Sequence, residues 1–577
     1  MKNLLAADIF ERIADLLELK GENPFRIRAY RRAALNLRNL VGDLDEMARA
    51  GSLEEIPGVG KDLAEKIREI ARTGRLEYLD RIQKEVPAIL STLVTVPGVG
   101  PKTAKLLHDR FRLRSLEQLE KLVRAGKLRS LPGMGEKKEQ NILRGLQILQ
   151  AGQERMPLGI AVALGNEFVH ALQKLPEVRR ITVAGSLRRR RETVRDIDIL
   201  ITSTHPKKVM DRFVKLGLVA QVQAHGETKS SIRTTQGVQV DLRVVEPDSF
   251  GAALVYFTGS KAHNIKIRGL ANRMGLTVNE YGVFRLKGNR RVAGKEEEDV
   301  YRALGLPWMP PEIREDLGEV EAAQRGRLPR LVERKDIRGS FHNHTNRTDG
   351  SHSLEELVRA VRGEGYSHML LSDHSQSLRV AHGLSEKELM KEREEVRRLN
   401  LRIKGFRVLM GAEVDILPDG RLDYPDRVLA QLDMVIAAVH SAFKQPKPVM
   451  TKRIVRALES RRVDILAHPT GRLIGERDPY EVELDDVYRA AAKTQTALEI
   501  NAYTRRLDLN DLQARRAREM GAKLVISTDT HVLDQLADIE MGLSIARRAW
   551  LGPGDLLNSM SAEELLSWVK RKRVQKT

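Results

Sequence analysis

Three aspartates and a recurring set of histidines are the residues of this sequence best suited to chemistry. In AGSLRRRRETVRDIDIL, which starts at Ala184, Asp196 and Asp198 alternate. A strand turns alternate side chains to one face, so both carboxylates point the same way. VDLRVV supplies Asp241 on another strand-like run. Three converging carboxylates can hold two divalent ions about 3.5–4 Å apart. One ion would activate a hydroxyl, and the other would clamp a polyphosphate and steady its departure. Magnesium suits such an oxygen-rich site, with manganese as its substitute. The Gly185-Ser186 turn and the arginines behind it offer N–H, hydroxyl and guanidinium groups to phosphate.

A second set lies nearer the C-terminus. FHNHTNRTDG gives His342, His344 and Asp349. Then come Asp373-His374, Glu413 in GAEVDI, His440 in AVHS, His468 in AHPTGR, and Asp529 with His531 in STDTH. The chain has no cysteine, so any metal must be held by His, Asp or Glu. A lone histidine is usually a satisfied structural residue, but these fall repeatedly at the ends of apolar runs. Imidazole and carboxylate without sulfur fit zinc, manganese or iron. Such a cluster acidifies bound water and polarises a phosphoryl oxygen, which makes phosphoester hydrolysis the expected reaction.

The elements that must position these residues can be read from the pattern. Residues 1 to about 150 alternate helices with glycine turns. From 151 to 315, helices alternate with β-rich runs at Ile181, Ile197 and Val238. Residues 307–335 are proline-rich at the start and charged throughout, as a connector would be. Beyond Asp336, short strands alternate with helices, and each strand ends on or near a candidate ligand. An α/β barrel concentrates function at strand C-termini in this way.

An internal repeat marks the N-terminal part. IPGVGKDLAEKI, VPGVGPKTAKLL and LPGMGEKKEQNI each place an apolar residue, Pro-Gly-x-Gly and then a helix. Gly58 and Gly60, Gly98 and Gly100, and Gly133 and Gly135 let the backbone approach a ligand. The helix start behind each turn presents free N–H groups, for which phosphate is the natural guest. Lys102, Lys105, Lys137 and Lys138 add charge beside them. Lys66 lies one turn into the first such helix, where neighbouring cations would favour a nucleophilic amine.

Composition agrees with a polyanionic partner. The 577 residues carry a formal net charge of +20. That length exceeds one core, so several domains are expected. No apolar run approaches the roughly 18 residues of a membrane span, and no secretory leader pattern opens the chain. A cytoplasmic, monomeric, nucleic-acid-binding protein is the expectation.

Resemblance sharpens this reading. The three glycine turns resemble the helix-hairpin-helix family of DNA-backbone binders. NPFRIRAYRRAALNL and the first hairpin resemble the small N-terminal domain of DNA polymerase beta. That likeness implies Lys66 as a Schiff-base nucleophile on abasic sugar and Tyr30 as a DNA contact. Arg26 stands where the animal enzyme has lysine. The run from Met156 to Arg314, with YFTGSKAHNIKIR, resembles the catalytic core of family X DNA polymerases. The likeness implies Asp196, Asp198 and Asp241 as metal ligands, and Ser186 and Arg189 on the triphosphate. It implies Tyr256, Phe257 and Gly259 against the incoming sugar, Asn264 on the base and Arg268 toward the template. Arg195 departs from it, standing where the family commonly has glycine.

Residues 336–570 resemble the polymerase-and-histidinol-phosphatase (PHP) domain, a distorted barrel. That likeness implies His342, His344, Asp349, His374, Glu413, His440, His468, Asp529 and His531 as ligands, with Glu413 bridging two ions. Together these segments resemble bacterial family X polymerases with a C-terminal PHP domain. The expected architecture is multidomain. A helical helix-hairpin-helix region comprises a lyase-like domain over 1–80 and a fingers-like part over 81–150. An α+β polymerase beta-like nucleotidyltransferase core has its palm over 151–243 and its nucleotide-selecting thumb over 244–315. A linker follows over 316–335, then the α/β PHP barrel over 336–577. The implied partners are gapped or primed DNA and deoxynucleoside triphosphates. The implied activities are gap filling in repair, 3′–5′ exonuclease and cleavage at abasic sites. Two rival readings are a small-molecule phosphatase fused to a DNA-binding arm and a non-catalytic DNA-end scaffold.

Overall fold

The computed structural model describes residues 2–20, 22–38, 44–56, 58–73, 76–94, 96, 99–131, 134–135, 138–140, 142–143, 146 and 155–574. The chain forms two compact units, Met1–Glu154 and Arg155–Thr577.

The first unit is helical among its described residues, and its repeat is visible in the backbone. In the three turns, Val59 N–H donates to Ile56, Val99 to Val96 and Met134 to Leu131, each at 2.9–3.0 Å. One residue after each bond a glycine starts a helix, with Ala64, Ala104 and Glu139 donating back to Gly60, Gly100 and Gly135. The apolar residues of the turns are buried, so the turns are tied to a common core, and Gly58, Gly60, Gly100 and Gly135 are exposed.

The second unit begins with a five-stranded sheet. Its order is Val178–Val183, Asp196–Ser203, Gln239–Val244, Lys229–Thr234, Val219–His225. Only the Asp196–Ser203 and Gln239–Val244 strands run parallel, and their register sets Asp198 opposite Asp241. Ile197, Ile199 and Ile201 turn inward to a core shared with Leu164 and Phe168 of the Leu158–Gln173 helix. That burial fixes the strand's face, so the alternating aspartates must point the other way. Helices Phe250–Thr258 and Lys261–Arg273 follow, then a three-stranded antiparallel sheet and the Glu297–Ala303 helix.

The expected linker differs from a connecting thread. Residues 316–335 contain the helix Glu319–Gln324, whose Val320 and Ala323 join the core of the preceding domain. Glu319 is fully buried and lies 2.7 Å from His263 Nδ1, and the backbone N–H groups of Asp316 and Leu317 also donate to it. Part of the charge in this stretch is thus paired inside the fold, while Arg325, Arg327 and Lys335 are exposed.

The remainder is a barrel of short parallel strands. Gly339–Asn343, His368–Leu371 and Arg407–Met410 form one sheet. Glu413–Asp415, Ile436–Ala438, Ile465–Leu466, Ala497–Asn501 and Leu524–Ser527 form the other. Parallel bridges His374–Glu413 and Asn343–Thr530 join the two and close the ring. The break at Gly411-Ala412 is the distortion, and it turns Glu413 toward the end of the second strand. The helix Ala562–Val574 covers apolar strand residues with Leu565, Trp568 and Val569.

Candidate metal centres

The first centre is a cleft of about 620 Å³ lined by Gly185, Ser186, Arg189, Arg195, Asp196, Asp198, Tyr256, Phe257, Gly259, Asn264 and Arg268. Register and strand pleat bring Asp196, Asp198 and Asp241 to one face, as the alternation in sequence implied. Burial, then the like charges of Asp196 and Asp241, push the Asp198 carboxyl up to about 7. A carboxyl so placed is short of cations, and a divalent ion fits the donor set. Gly185 has φ +61 and packs directly on Asp198, so no side chain fits there. Asp241 accepts from Gln239 Nε2 at 3.2 Å. Arg195 is largely exposed and lies 3.7 Å from Asp196 Oδ2, so the departure from the family leaves the carboxylates in place.

The residues expected on the nucleotide side sit around this cleft. The Tyr256 and Phe257 rings meet edge-on with centroids 5.0 Å apart. Asn264 Nδ2 donates to the Tyr256 carbonyl at 2.7 Å, which ties two of the expected contacts together. Arg189 Nε donates to Glu315 Oε1 at 3.1 Å. Behind the turn, buried Glu297 is gripped by Arg188 at 2.7 Å and Arg314 at 2.7 Å. Despite burial, those two guanidiniums hold its carboxyl well below the usual range.

The second centre gathers all nine expected ligands at the barrel mouth. Glu413 lies at its middle, 3.3 Å from His342, 2.9 Å from His374, 3.0 Å from His468 and 3.4 Å from His440. Asp529 is 3.5 Å from both His342 and His344, and Asp349 is 3.4 Å from His374 and 3.3 Å from His531. Three groups can each hold an ion: His344, Asp349, His374 and His531; His342, His344 and Asp529; His374, Glu413 and His440. Buried nitrogens of His342, His344 and His374 have no hydrogen-bond partner among the described residues. Orphaned buried imidazole nitrogens are costly, and a metal ion satisfies them.

Electrostatics divides the histidines. Burial, with His374 and His531 nearby, pushes His344 down to about 4. Burial also opposes charge on His374 and His440, yet Glu413 and its neighbours lift them to about 10 and about 9. Three of the expected ligands, His342, His468 and Asp529, have left-handed backbone with φ +61, +26 and +52. Strain in non-glycine residues collects at functional sites.

Sequence reasoning missed the residues that aim the ligands. Glu499 lies 2.6 Å from His342 Nδ1 and accepts the His468 N–H at 2.6 Å. Asp415 lies 2.6 Å from His440 Nδ1. Asp373 accepts from Thr345 N–H and the Thr348 hydroxyl, holding the loop after His344. Glu499 and Asp415 both lie on strands that reach the mouth, which was the available signal.

In the first unit, Tyr30 corrects an expectation. It is 1% exposed, edge-on to Phe10 and stacked on Tyr78, so its ring belongs to the core and is not a surface group. Aromatic bulk on the apolar side of the Pro24–Arg38 helix explains the burial. Lys66 does lie among cations, since it, Arg26 and Arg81 all approach the Tyr78 ring within 5.2–5.5 Å. Its ammonium also pairs with Asp62 one turn earlier on the same helix. Gly58, Gly60, Gly100 and Gly135 occupy the expected turns, with Gly58 at φ +80. Gly98 and Gly133 lie outside the described residues, and Lys102 is described only as part of the Pro101–Phe111 helix.

Comparisons with known proteins agree with this geometry. Residues 1–76 match a helix-hairpin-helix domain and 90–147 a SAM-like helix-hairpin-helix tandem. Residues 253–315 match the DNA polymerase beta thumb and 340–503 the PHP domain. The chain is 40% identical over 565 residues to the DNA polymerase/3′–5′ exonuclease PolX of Bacillus subtilis, covering 98% of both. It is 28% identical to rat DNA polymerase lambda over 54% of this chain and 56% of that one. It is 27% identical to a probable phosphatase of Thermoanaerobacter, over 40% of this chain and 94% of that one. No helix among the described residues is long and apolar enough to cross a membrane. An aspartate-lined cleft and a barrel mouth that gathers histidines and carboxylates on one polypeptide, with 40% identity to such an enzyme over nearly the full length, leave one conclusion: the chain belongs to the bacterial family X DNA polymerases that carry a PHP domain, and it is a DNA polymerase with 3′–5′ exonuclease activity.

Proposed function

We propose that the enzyme fills short gaps in damaged DNA by two-ion nucleotidyl transfer, and that its barrel trims 3′ ends and cuts at abasic sites. The observation that carries the synthetic half is the register of Asp198 against Asp241, with Asp196 on the same face. Magnesium or manganese in that cleft would supply the Lewis acidity for transfer to the primer hydroxyl. The chain's own residues do the rest. Asp196, Asp198 and Asp241 hold the cations, and the Ser186 hydroxyl and Arg189 face the triphosphate. Tyr256 and Phe257 stack their edge-on pair beside the sugar, and Asn264 turns toward the base. Arg268, exposed on its helix, reaches for the template.

For the barrel, zinc, manganese or iron would supply an acidified water and an electrophilic clamp on phosphate. Its ligands are held by the protein before substrate arrives. Asp415 and Glu499 orient His440 and His342, and Asp349 and His531 form the partly exposed side by which a strand end can enter. The Thermoanaerobacter relative, a probable phosphatase, matches the barrel portion, which supports phosphoester hydrolysis there.

One gapped, primed duplex with a labelled 3′ end tests both halves. The Asp196→Ala/Asp198→Ala variant should lose extension and keep degradation. His344→Ala should do the reverse. Loss of both activities in either variant would refute the assignment of one reaction to each centre.

A further inference from the structure

Arg548 ends the barrel-domain helix Ile539–Arg548, and its side chain is 2% exposed. Its Nε and Nη2 reach the Asp511 carboxylate at 2.8 and 2.6 Å. Its Nη1 leaves the barrel altogether. It donates to the Arg189 carbonyl at 2.7 Å and to Glu315 Oε1 at 3.0 Å. The same Glu315 oxygen accepts from Arg189 Nε at 3.1 Å. Arg189 Nη1 donates to the Thr258 carbonyl, just before Gly259. Two sides of the Arg189 guanidinium are therefore spent on protein. Among the described residues Nη2 has no partner, and Arg189 lines the polymerase cleft.

This is part of a firm junction. Arg547 Nε donates to Glu312 at 2.7 Å, and Arg472 Nη2 to Glu192 at 2.7 Å. Gly159 packs against Thr504 with no room for a side chain. The Arg548 pairs with Asp511 and Glu315 are the most buried of these, and buried charge pairs are costly if one member is removed. They hold orientation more than they add stability.

We propose that the hydrolytic barrel positions the nucleotide-binding arginine of the polymerase site. Arg548 clamps Glu315 and the Arg189 main chain, and Glu315 in turn orients the Arg189 guanidinium with one edge toward the cleft. Arg548 and Glu315 are positioning residues, since neither touches substrate. The proposal rests on the reading of Arg189 as a triphosphate contact. A guanidinium held in its working orientation binds phosphate without first losing rotamer freedom. Releasing it should weaken nucleotide binding and leave the chemical step alone.

The test is single-nucleotide gap filling by the full chain, with KM for the deoxynucleoside triphosphate and kcat measured separately. R189A should raise KM. R548M and E315Q should each raise KM about three- to tenfold with kcat within about twofold, the range of coupling between linked sites. The R548M/E315Q double variant should be no worse than the worse single, because both act on one path. R548K, which can still donate to Glu315, should restore most of the affinity. Unchanged KM in R548M and E315Q, with KM raised in R189A, overturns the proposal. Unchanged KM in R189A overturns the triphosphate reading and the proposal with it. Should R548M fail to fold, E315Q and R548K decide the matter.

Discussion

Gly185 has no room for a side chain because the Asp198 carboxylate stands where its Cβ would go. Its φ of +61 also disfavours any other residue. The turn that cradles phosphate and the strand that holds metal are thus built against each other.

Gly185→Ala should therefore displace Asp198 and cut polymerisation by about 100-fold or more, since misplacement of about 1 Å is that costly. The barrel is untouched, so 3′ degradation should persist. Primer extension and exonuclease assays on one preparation check this, and full extension activity in the variant would contradict it.

The Asp198 carboxyl, pushed up to about 7, sets a pH dependence. Its folded value lies above its unfolded one. Stability from this group is therefore greatest at low pH and is lost as pH rises through the interval up to about 7. A divalent ion reverses that loss and must displace the proton to bind. Magnesium affinity should rise between pH 6 and 8 and then level, about tenfold per unit at most. Calorimetry in buffers of different ionisation heat should detect proton release. Affinity independent of pH would sink the account.

Glu499 orients His342 and His468 from behind. Glu499→Gln should weaken metal binding in the barrel about 10–100-fold, as loss of such supporting groups does. Polymerisation should be unaffected. Metal content after dialysis, measured by mass spectrometry beside exonuclease rate, reads this out, and wild-type occupancy would count against it.

A Cβ on Gly60, Gly100 or Gly135 would meet nothing within 4 Å. Packing does not demand glycine there; the proposed reading of the turns as phosphate cradles does. Gly60→Ala and Gly100→Ala should leave the melting temperature nearly unchanged and weaken DNA binding, with a shallower salt dependence. Equal binding by variant and wild type would show the turns to be plain connectors.

The sequence was most informative where period and chemistry coincide. Asp196 and Asp198 were readable because Ile197, Ile199 and Ile201 fix the opposite face of the strand. Most of the barrel histidines stood out because they fall at or near the ends of short apolar runs. Tyr30 was misread because an aromatic on an amphipathic helix looks alike whether it packs or protrudes, and only the neighbouring Phe10 and Tyr78 decide. The helix within 316–335 was not legible as core because its buried charge finds a partner far away in sequence, Glu319 with His263. Arg548 and Glu315 lie 233 positions apart, so no local pattern could announce them.

His342, His468 and Asp529 hold left-handed backbone. Each such residue costs about 1–3 kcal/mol, a burden the surrounding core must carry. Glycine at any of them would relax the chain and delete a ligand in the same stroke. Efforts to harden this enzyme against heat should leave these three positions alone, because comfort for the polypeptide there means silence for the nuclease.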